Sequence, residues 1–485
     1  LLARTGFYQS GGAYGFRDQL QDCLAVLYSH PKKARVHIIR AAFNQFAHGD
    51  AMHWWHHLPA RDTVVTKGVR SLCSDDYIWL PYAVAEYVTR TGDTSVLSVK
   101  IRYADAPILR PGEHERYSEV GRTEFKEDIY THCARALERA LDRLSPRGLP
   151  YIGSCDWNDG LNRVGIDQQG NETGGESVWL AQFLAITLEK FSKLSELRGD
   201  FDGSEKYKAA AASLLLAVEK YAWATDRYVR AFYGDGLVLG AATTEGGCQI
   251  DILPQAFAQL SGMGKDNTDG HSRTRTALET MFGALYDRDY RIMKLFTPPF
   301  VPGTGRNPGY IQGYVPGVRE NGGQYTHAAV WAAIAMLDAG MIDQGTELLF
   351  ALNPAERCTD PELAEIYGGE PYAMAGDVYS NPDFAGRCGW SLYTGAAAWY
   401  YKAVLEYLLG YDERADGFSI TPKLSARFPG FTLQVQRHGT QYTIRAQLGD
   451  RTEYRLDGEP VADKFFPFDK KRHNLEITVE NKQSG

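Results

Sequence analysis

Apolar residues recur at helical spacing from about residue 18 to residue 410, and the loops between the predicted helices are rich in Gly, Pro and Asp. After Gly410 the spacing changes to alternation, as in Phe431-Thr432-Leu433-Gln434-Val435. No short internal repeat is present, so a run of paired helices with long loops predicts a closed ring of helices whose loops meet at one end. We therefore predict a mainly α fold with two domains, a helical domain over residues 1–410 and a small C-terminal β-sheet module over residues 411–485.

The clearest predicted helices span residues 31–46, 74–91, 124–144, 176–197, 205–224, 251–260, 324–339 and 394–409. Ser74-Asp75-Asp76 opens one of them with a capping residue and an acidic first turn, which suits the positive end of a helix dipole. The helices are thus expected to form the frame, while the loops carry the unusual chemistry.

The overall charge and the cysteine pattern exclude several classes of protein. The chain has 52 Lys and Arg against 60 Asp and Glu, a formal charge of -8, so phosphate-rich nucleic acid is not expected as a partner. No stretch approaches the roughly 20 apolar residues of a membrane helix, so no membrane insertion is expected. The 7 cysteines contain no CxxC pair, and the chain lacks a secretory signal pattern and an initial Met. We expect a cytoplasmic chain that is part of a longer polypeptide.

The loop Cys155-Asp156-Trp157-Asn158-Asp159-Gly160 places two carboxylates around a tryptophan. Cleavage of a glycosidic bond needs a carboxylic acid near the bridging oxygen and an aromatic surface that orients the sugar. Asp, Asn and Gly also form ordinary surface turns, but a large aromatic residue at the centre favours a binding site. The segment predicts an enzyme that acts on a glycosidic bond, although spacing alone leaves open which aspartate does so.

Two predicted helices open with groups that suit an anion, Gln324-Tyr325-Thr326-His327 and Tyr393-Thr394-Gly395. Free backbone N–H groups, a Thr hydroxyl and a His donor together make a plausible phosphate site. Helix capping by Thr394 and a buried, hydrogen-bonded His327 are the structural alternative.

A third polar group occupies the start of the first helix. Arg17 lies there with Asp18, Gln21 and Asp22, and an arginine among carboxylates suits phosphate or sugar hydroxyls. A helix cap with a simple ion pair would explain the same residues.

Cofactor and metal sites are not expected. The sequence lacks GxSxG, a phosphate loop ending in GK[ST], GxGxxG after a strand, and HExxH. The segment His53-Trp54-Trp55-His56-His57 has no nearby carboxylate or thiolate at ligand spacing, and its two tryptophans favour sugar stacking over metal binding.

Seven ordered segments, spread over nearly the whole chain, resemble the inverting β-glucoside phosphorylases of glycoside hydrolase family 94. These include cellobiose, laminaribiose and 1,2-β-oligoglucan phosphorylases, and the phosphorylase-like domain of cyclic β-1,2-glucan synthases is similar too. The segments are YQSGGAYGFRDQLQD, HWWHH, CSDDYIWLPYAV, CDWNDGLNRVG, GESVWL, RENGGQYTH and GWSLYTGAAAW. The resemblance implies an (α/α)6 barrel.

The resemblance also implies which residues act. Asp159 would protonate the glycosidic oxygen while inorganic phosphate, as a co-substrate, attacks the anomeric carbon from the opposite face to give α-glucose 1-phosphate. An anionic nucleophile needs no second carboxylate to activate it, unlike water in an inverting hydrolase. The implied phosphate ligands are Arg17, His327, Thr394 and Gly395. The expected substrate-binding residues are Asp18, Asp22, Asp156, Trp157, Tyr314, Glu320 and Gln324.

Some features depart from the family pattern. Some relatives carry a further arginine where this chain has Gly11-Gly12. In relatives a β-sandwich and a helical linker precede the barrel and help to build a dimer, whereas this sequence contains neither. The partners expected are a second copy of the chain or the remainder of a longer polypeptide.

The resemblance leaves three readings of the function. The first is phosphorolysis of β-glucooligosaccharides, with β-1,2 linkage expected first and β-1,3 or β-1,4 as alternatives. The second is an inverting hydrolase on the same barrel with Glu320 as base. The third is a glucan-binding or chain-length-controlling domain of a larger glucan synthase.

Overall fold

The computed structural model describes residues 13–60, 63–263 and 272–481. Six of its helices pack in a closed ring, in which each helix contacts the next and the last contacts the first. They are α1 (Phe16–Val26), α3 (Trp79–Thr91), α5 (Val178–Arg198), α7 (Ile252–Leu260), α9 (Thr326–Asp338) and α13 (Thr394–Lys402).

Five further helices each pack against a ring helix, which buries one face of each. They are α2 (Pro31–Ala42), α4 (Ile129–Leu141), α6 (Phe201–Tyr221), α8 (Arg273–Leu285) and α10 (Ile342–Leu352). The short helices α11 (Pro354–Arg357) and α12 (Pro361–Tyr367) follow α10 along the chain.

Large aromatic side chains fill the middle of the ring. Trp79, Phe183, Phe257, Trp331 and Trp399 come from five different ring helices and are all buried. The ring centroids of Trp79 and Phe183 are 4.3 Å apart, and those of Phe257 and Trp331 are 5.0 Å apart. Trp331 also packs on His327 at the start of its own helix. This aromatic layer closes the centre of the ring and supports the residues at the end where α1, α9 and α13 begin.

Polar caps fix the starts of several helices. Asp128 accepts a hydrogen bond from the backbone N–H of Thr131, and Ser177 accepts one from Leu180. Each cap satisfies an N–H group that has no partner within the helix. The helices predicted at 176–197 and 251–260 therefore begin within two residues of the expected positions, as α5 and α7 do.

Strands account for more of the chain than the sequence pattern predicts, with 39% of the residues helical and 26% in strands. The helix predicted at 124–144 starts only at Ile129, because residues before it form the strand β6 (Gly121–Asp128), which pairs with β4 (Lys100–Asp105). The helix predicted at 31–46 ends at Ala42, and the segment 403–408 is a π-helix. Pairing with a distant strand leaves no trace in local helical periodicity, which explains the first difference.

A four-stranded sheet forms one wall beside the start of α1. Its strands are β1 (Tyr14–Gly15), β2 (Met52–Ala60), β3 (Thr63–Ser71) and β5 (Glu115–Glu119), in that order. Gly68 in β3 is required by close packing, because a Cβ atom there would lie 2.7 Å from the Met52 sulfur and 2.9 Å from the Trp54 carbonyl oxygen. The segment that contains His53 and Trp54 therefore packs closely against β3.

The chain after Gly410 forms two sheets with a hydrophobic cluster of their own, to which Tyr28 and Leu405 contribute. One sheet contains β18 (Tyr411–Glu413), β19 (Gly417–Ile420) and β24 (Phe465–Pro467). The other contains β20 (Gly430–Arg437), β21 (Thr440–Gly449), β25 (Arg472–Glu480), β22 (Glu453–Leu456) and β23 (Glu459–Pro460), with β21 and β25 parallel. The alternating pattern thus corresponds to strands, while the domain boundary at residue 410 stays a prediction.

The remaining strands are two residues long and lie in the loops of the helical part, where β7, β10 and β11 form a three-stranded sheet and the others form pairs. They are β7 (Glu176–Ser177), β8 (Trp223–Ala224), β9 (Arg227–Tyr228), β10 (Ala231–Phe232), β11 (Val238–Leu239), β12 (Ile250–Asp251), β13 (Tyr286–Asp287), β14 (Ile292–Met293), β15 (Phe296–Thr297), β16 (Gln324–Tyr325) and β17 (Asp377–Val378). Among the described residues, no helix combines the length and apolar character that crossing a membrane requires.

Candidate active site

A pocket of about 490 Å³ opens where α1, α9 and α13 begin. Its volume lies within the usual range of small-molecule sites. The lining residues are Ala13, Gly15, Arg17, Asp18, Gln21, His53, Trp54, His56, Trp157, Asp159, Glu320, Tyr325, His327 and Tyr393. Charged, aromatic and hydroxyl groups therefore meet in one cavity.

The two aspartates of the loop that the sequence singles out occupy different environments. The side chain of Asp159 is 39% exposed and lines the pocket, whereas Asp156 is fully buried. Both carboxylate oxygens of Asp156 bind Arg230 at 2.7 Å, and Ser177 Oγ donates to Oδ2 at 2.6 Å. The backbone N–H of Asn158 donates to Oδ1 at 3.1 Å. Asp156 thus holds the loop in place, and Asp159 is the one that reaches the cavity.

Arg17 connects the first helix to this loop. Its Nη1 donates to Asp75 Oδ1 at 2.7 Å and to the carbonyl oxygen of Asp156 at 3.1 Å. Its Nη2 donates to Asp159 Oδ1 at 2.5 Å. The arginine is buried at the base of the pocket, so its charge acts in a medium that screens it less than bulk water does.

The charge state of Asp159 follows from its neighbours. Burial acts to raise the pKa of Asp159, but the positive charges of Arg17 and His53 outweigh it and hold that pKa below its usual value. Cys155 Sγ also donates to Oδ1, at 3.6 Å. In the free protein Asp159 is therefore ionised, whereas a general acid must carry a proton before it can act.

His53 is a pocket residue whose position the sequence analysis missed. Its Nδ1 lies 2.8 Å from Asp76 Oδ2, and its Nε2 lies 3.9 Å from Asp159 Oδ2. Burial acts to lower the pKa of His53, but the Asp76 carboxylate outweighs it and keeps the imidazole protonated. Nδ1–H therefore donates to Asp76, and the cation faces the second oxygen of Asp159. Asp75 and Asp76, predicted only as the first turn of a helix, hold Arg17 and His53 in place.

His327 is held in one orientation by a buried amide. Its Nε2 donates to Gln21 Oε1 at 2.8 Å, and Trp399 Nε1 donates to the same oxygen at 3.0 Å. Burial and the nearby Arg17 charge lower the pKa of His327 to about 3, so the imidazole is neutral. Since Nε2 carries the proton, Nδ1 is the free acceptor atom.

Thr394 and Gly395 begin α13 beside His327. A Cβ atom at Gly395 would lie 3.2 Å from His327 Cε1 and 3.3 Å from Nδ1, so the glycine keeps the space at that edge of the ring open. Thr394 Oγ1 donates to Asp22 Oδ2 at 2.9 Å. The helix start, the histidine and the glycine therefore lie together, while the Thr394 hydroxyl binds Asp22. That these residues bind phosphate stays a prediction.

The predicted sugar-site residues divide into two groups. Asp18, Trp157 and Glu320 line the pocket, and burial raises the pKa of Glu320. Tyr314 and Gln324 do not belong to its lining among the described residues. The guanidinium of Arg319 lies 4.6 Å from the Tyr314 ring centre.

Gln324 is committed to local packing. Its Oε1 accepts a hydrogen bond from the Met293 backbone at 3.0 Å. Asp22 and Asp156, which are also predicted to bind substrate, likewise form hydrogen bonds to other side chains of the protein. Tyr325 and Tyr393, whose hydroxyls are 3.1 Å apart, are two lining residues that the prediction left out.

Two groups of side chains near Asp159 have the composition of a metal site. His53, Cys73 and Asp76 form one, and Cys73, Cys155 and Asp159 form the other, with candidate ligand atoms within 4.8 Å in each. Arg17 Nη1 lies 3.7 Å from the Cys73 sulfur and Nη2 lies 2.5 Å from Asp159 Oδ1, so a positive charge already contacts candidate ligands of both groups. The expectation of no metal stays a prediction.

The sequence of the chain matches a known family of enzymes. Residues 1–410 match the catalytic domain of the glycosyl hydrolase 94 superfamily. The chain belongs to this superfamily. Several of the glycosyl hydrolase 94 segments quoted above contribute residues to the pocket, among them Arg17, His53, Asp159, Glu320 and His327.

Three named proteins are similar to nearly the whole chain. It is 41% identical over 462 residues to the cyclic beta-(1,2)-glucan synthase NdvB of Rhizobium meliloti (strain 1021), covering 95% of this chain and 16% of that protein. It is 25% identical to an N,N'-diacetylchitobiose phosphorylase of Vibrio proteolyticus, over 96% of this chain and 57% of that protein. It is also 25% identical to a solabiose phosphorylase of Paenibacillus borealis, over 96% of this chain and 56% of that protein. The chain thus spans between about a sixth and three fifths of these relatives' lengths.

A solved structure supports the fold alone. A GH78 family rhamnosidase of Bacillus sp. GL1 superposes with a TM-score of 0.51 at 12% sequence identity, covering all of this glycosyl hydrolase 94 chain and 44% of the rhamnosidase.

Proposed function

We propose that this chain catalyses the reversible, inverting phosphorolysis of β-linked glucooligosaccharides by inorganic phosphate, which releases α-glucose 1-phosphate. The observation that carries the proposal is the shared pocket of Asp159, Arg17 and His327. The Asp159 carboxylate lines the cavity, which supports its role as acid, and beside it a buried arginine and an open helix start suit a phosphate nucleophile. The family membership and the phosphorylases among the relatives support the same reaction class.

Because Arg17 and Asp159 form an ion pair, phosphate binding precedes protonation of Asp159 in the proposed reaction. A phosphate dianion bound next to Arg17 neutralises part of the charge that holds the pKa of Asp159 down. Asp159 can then take up a proton while the nucleophile is in place. It donates this proton to the glycosidic oxygen as the bond from that oxygen to the anomeric carbon breaks, and a phosphate oxygen forms the new bond from the opposite face.

His327 and Gly395 contribute the other side of the phosphate site in this proposal. The neutral imidazole presents Nδ1 to the space that Gly395 leaves open. Phosphate bound there would share a proton with Nδ1, since two bare acceptors repel each other. Trp157, which packs against His327 with ring centroids 5.4 Å apart, offers an aromatic surface to the glucosyl unit.

We further propose that the ring of six helices is the inner layer of an (α/α)6 barrel. The ring closes between α1 and α13, and five helices pack against it from outside. For the linkage we propose β-1,2, because the relative with 41% identity is named a cyclic beta-(1,2)-glucan synthase. A β-1,3 or β-1,4 linkage is the alternative.

The reaction is tested by incubating the protein with β-1,2-glucooligosaccharides, with and without phosphate, and measuring glucose 1-phosphate and free glucose. Phosphate-dependent release of glucose 1-phosphate is expected, with a loss of about a hundredfold to ten-thousandfold in Asp159→Asn. Asp142→Asn, at an exposed position after α4, serves as the matched control. Glucose released without phosphate would instead indicate the hydrolase with Glu320 as base, which lines the same pocket.

The match to part of a glucan synthase favours one further candidate, a glucan-binding or chain-length-controlling domain. It predicts saccharide binding that Asp159→Asn leaves unaltered and no turnover in either direction. A screen of acceptor sugars with α-glucose 1-phosphate separates the candidates and reports the linkage formed.

A further inference from the structure

The two adjacent tryptophans of β2 point to opposite faces of the four-stranded sheet, as neighbours in a strand do. Trp55 is 1% exposed and stacks on Tyr14, with ring centroids 5.7 Å apart and planes at 16°. Trp54 and His56 lie two residues apart on the other face, and both line the catalytic pocket. Only one of the two tryptophans is therefore available to a ligand.

Tyr117 extends this face beyond the pocket. It lies on β5, opposite Val69 of β3, and Val69 in turn lies opposite Trp54 of β2. The rings of Trp54 and Tyr117 are 5.6 Å apart with planes at 33°, and His56 Nε2 bonds the Tyr117 hydroxyl. Tyr117 is 48% exposed and is not part of the pocket lining. We call Trp54, His56 and Tyr117 the aromatic platform.

We propose that the aromatic platform is a binding subsite for the part of a glucan chain that extends out of the pocket, and that the preferred substrate therefore has three or more sugar units. This inference rests on the proposed function. A chain with one end beside Asp159 must leave through the pocket mouth, and the platform runs without a break from the lining to the exposed sheet surface.

The chemistry of the platform suits a saccharide. Its rings present flat apolar surface, which matches the apolar face of a sugar ring, and its histidine and tyrosine edges are polar. The platform is fixed by backbone pairing in three strands, so little conformational freedom is lost when a sugar packs on it. It also joins the pocket where turnover is proposed, which favours a substrate chain over a protein partner.

The test compares chain lengths at equilibrium, without phosphate, so that no turnover is needed. Calorimetric titration with β-1,2-linked oligosaccharides of two to six units should show tighter binding of the longer chains to the unaltered protein. In Trp54→Ala and Tyr117→Ala the ratio of pentasaccharide to disaccharide affinity should fall about fivefold, the effect of losing one aromatic contact. Tyr117→Phe, which keeps the ring, should retain most of the ratio.

Phe125→Ala is the matched control, because Phe125 is a 51% exposed aromatic residue on β6, outside the pocket lining. Its ratio should equal that of the unaltered protein. The proposed role of the platform would be overturned by equal affinity for all chain lengths, or by an affinity ratio that neither alanine substitution lowers. Either result would leave the proposed phosphorolysis intact. Conversely, platform-dependent binding of long chains by a protein that releases no glucose 1-phosphate would refute the proposed reaction and keep this inference.

Discussion

Arg17 Nη2 lies 2.5 Å from Asp159 Oδ1, so the residue proposed to bind phosphate and the residue proposed to donate the proton form an ion pair in the free protein. The pair cannot persist unchanged during the reaction, because an ionised carboxylate has no proton to give. Binding of the anionic nucleophile and protonation of the acid are consequently coupled through one guanidinium group.

This coupling predicts a phosphate-dependent pH profile. Because Asp159 must be protonated to act, activity is lost as pH rises through its pKa, and Arg17 and His53 place that pKa low in the free protein. Bound phosphate raises the pKa, so the alkaline limb of kcat should lie at least about one pH unit above that of kcat/KM for phosphate, a shift of about 1.4 kcal/mol. Initial rates at saturating and limiting phosphate across the pH range measure both limbs, and coincident limbs would contradict the coupling.

His53 should tune the same acid. Its protonated ring, held by Asp76, lies 3.9 Å from Asp159 Oδ2, and removing this charge relieves part of the depression of the Asp159 pKa. We expect His53→Gln to move the alkaline limb of kcat/KM to higher pH. His57→Gln is the control, because His57 belongs to the same segment but is exposed and lies outside the pocket lining. A limb that both variants leave in place would show that His53 has only a structural role.

The sequence indicates the polar residues of the candidate site but not the groups that surround them. The loop around Asp159 is one continuous segment of the sequence, and the start of α1 is another. The residue types within each segment therefore indicate an acid and an anion-binding group. The partners that set their charge, Asp76 for His53 and Arg230 for Asp156, are 23 and 74 residues away. Only the folded chain brings such groups together, and local spacing cannot report them.

The strand that carries His53 shows the same limit. The composition of residues 53–57, with two tryptophans between histidines, predicts that this segment stacks against a sugar. In a strand, Trp54 and Trp55 point to opposite faces of the sheet. The strand itself, however, depends on pairing with β3 along one edge and with β1 along the other. Pairing with β4 is also why residues 124–128 form part of a strand, so that their prediction as the start of a helix is wrong.

Asp156 and Asp159 should respond differently to the same substitution. Asp156 and Arg230 are both fully buried, and without the Asp156 charge the only carboxylate within 4 Å of Arg230 among the described residues is that of Asp251, at 3.5 Å. Removing one partner of a buried ion pair typically costs about 3–5 kcal/mol of stability. Asp156→Asn should therefore lower the free energy of unfolding strongly, whereas Asp159→Asn, at a partly exposed side chain, should abolish turnover with a much smaller loss. Urea denaturation and activity assays separate the two effects. Equal stability losses would contradict the division of roles between the two aspartates.

A methyl group at Gly395 should weaken phosphate binding without unfolding the helix. The added Cβ would lie 3.2 Å from His327 Cε1 and would fill space that the proposed phosphate shares with Nδ1. We expect Gly395→Ala to raise KM for phosphate about tenfold, with a smaller change in KM for the saccharide, since the effect is on one ligand of the pair.

Gly283→Ala is the matched control for this substitution, because Gly283 lies within α8 and a Cβ built there has no described atom within 4 Å apart from its chain neighbours and the backbone of its own helix. It should leave both KM values unchanged and stabilise the protein by up to about 1 kcal/mol, since alanine is the better helix former. If Gly395→Ala behaved like this control, the space beside His327 would have no part in holding phosphate. These outcomes are distinguished by measuring KM for phosphate and the thermal denaturation of both variants. Lost packing lowers Tm, whereas a blocked phosphate site raises KM for phosphate without lowering Tm.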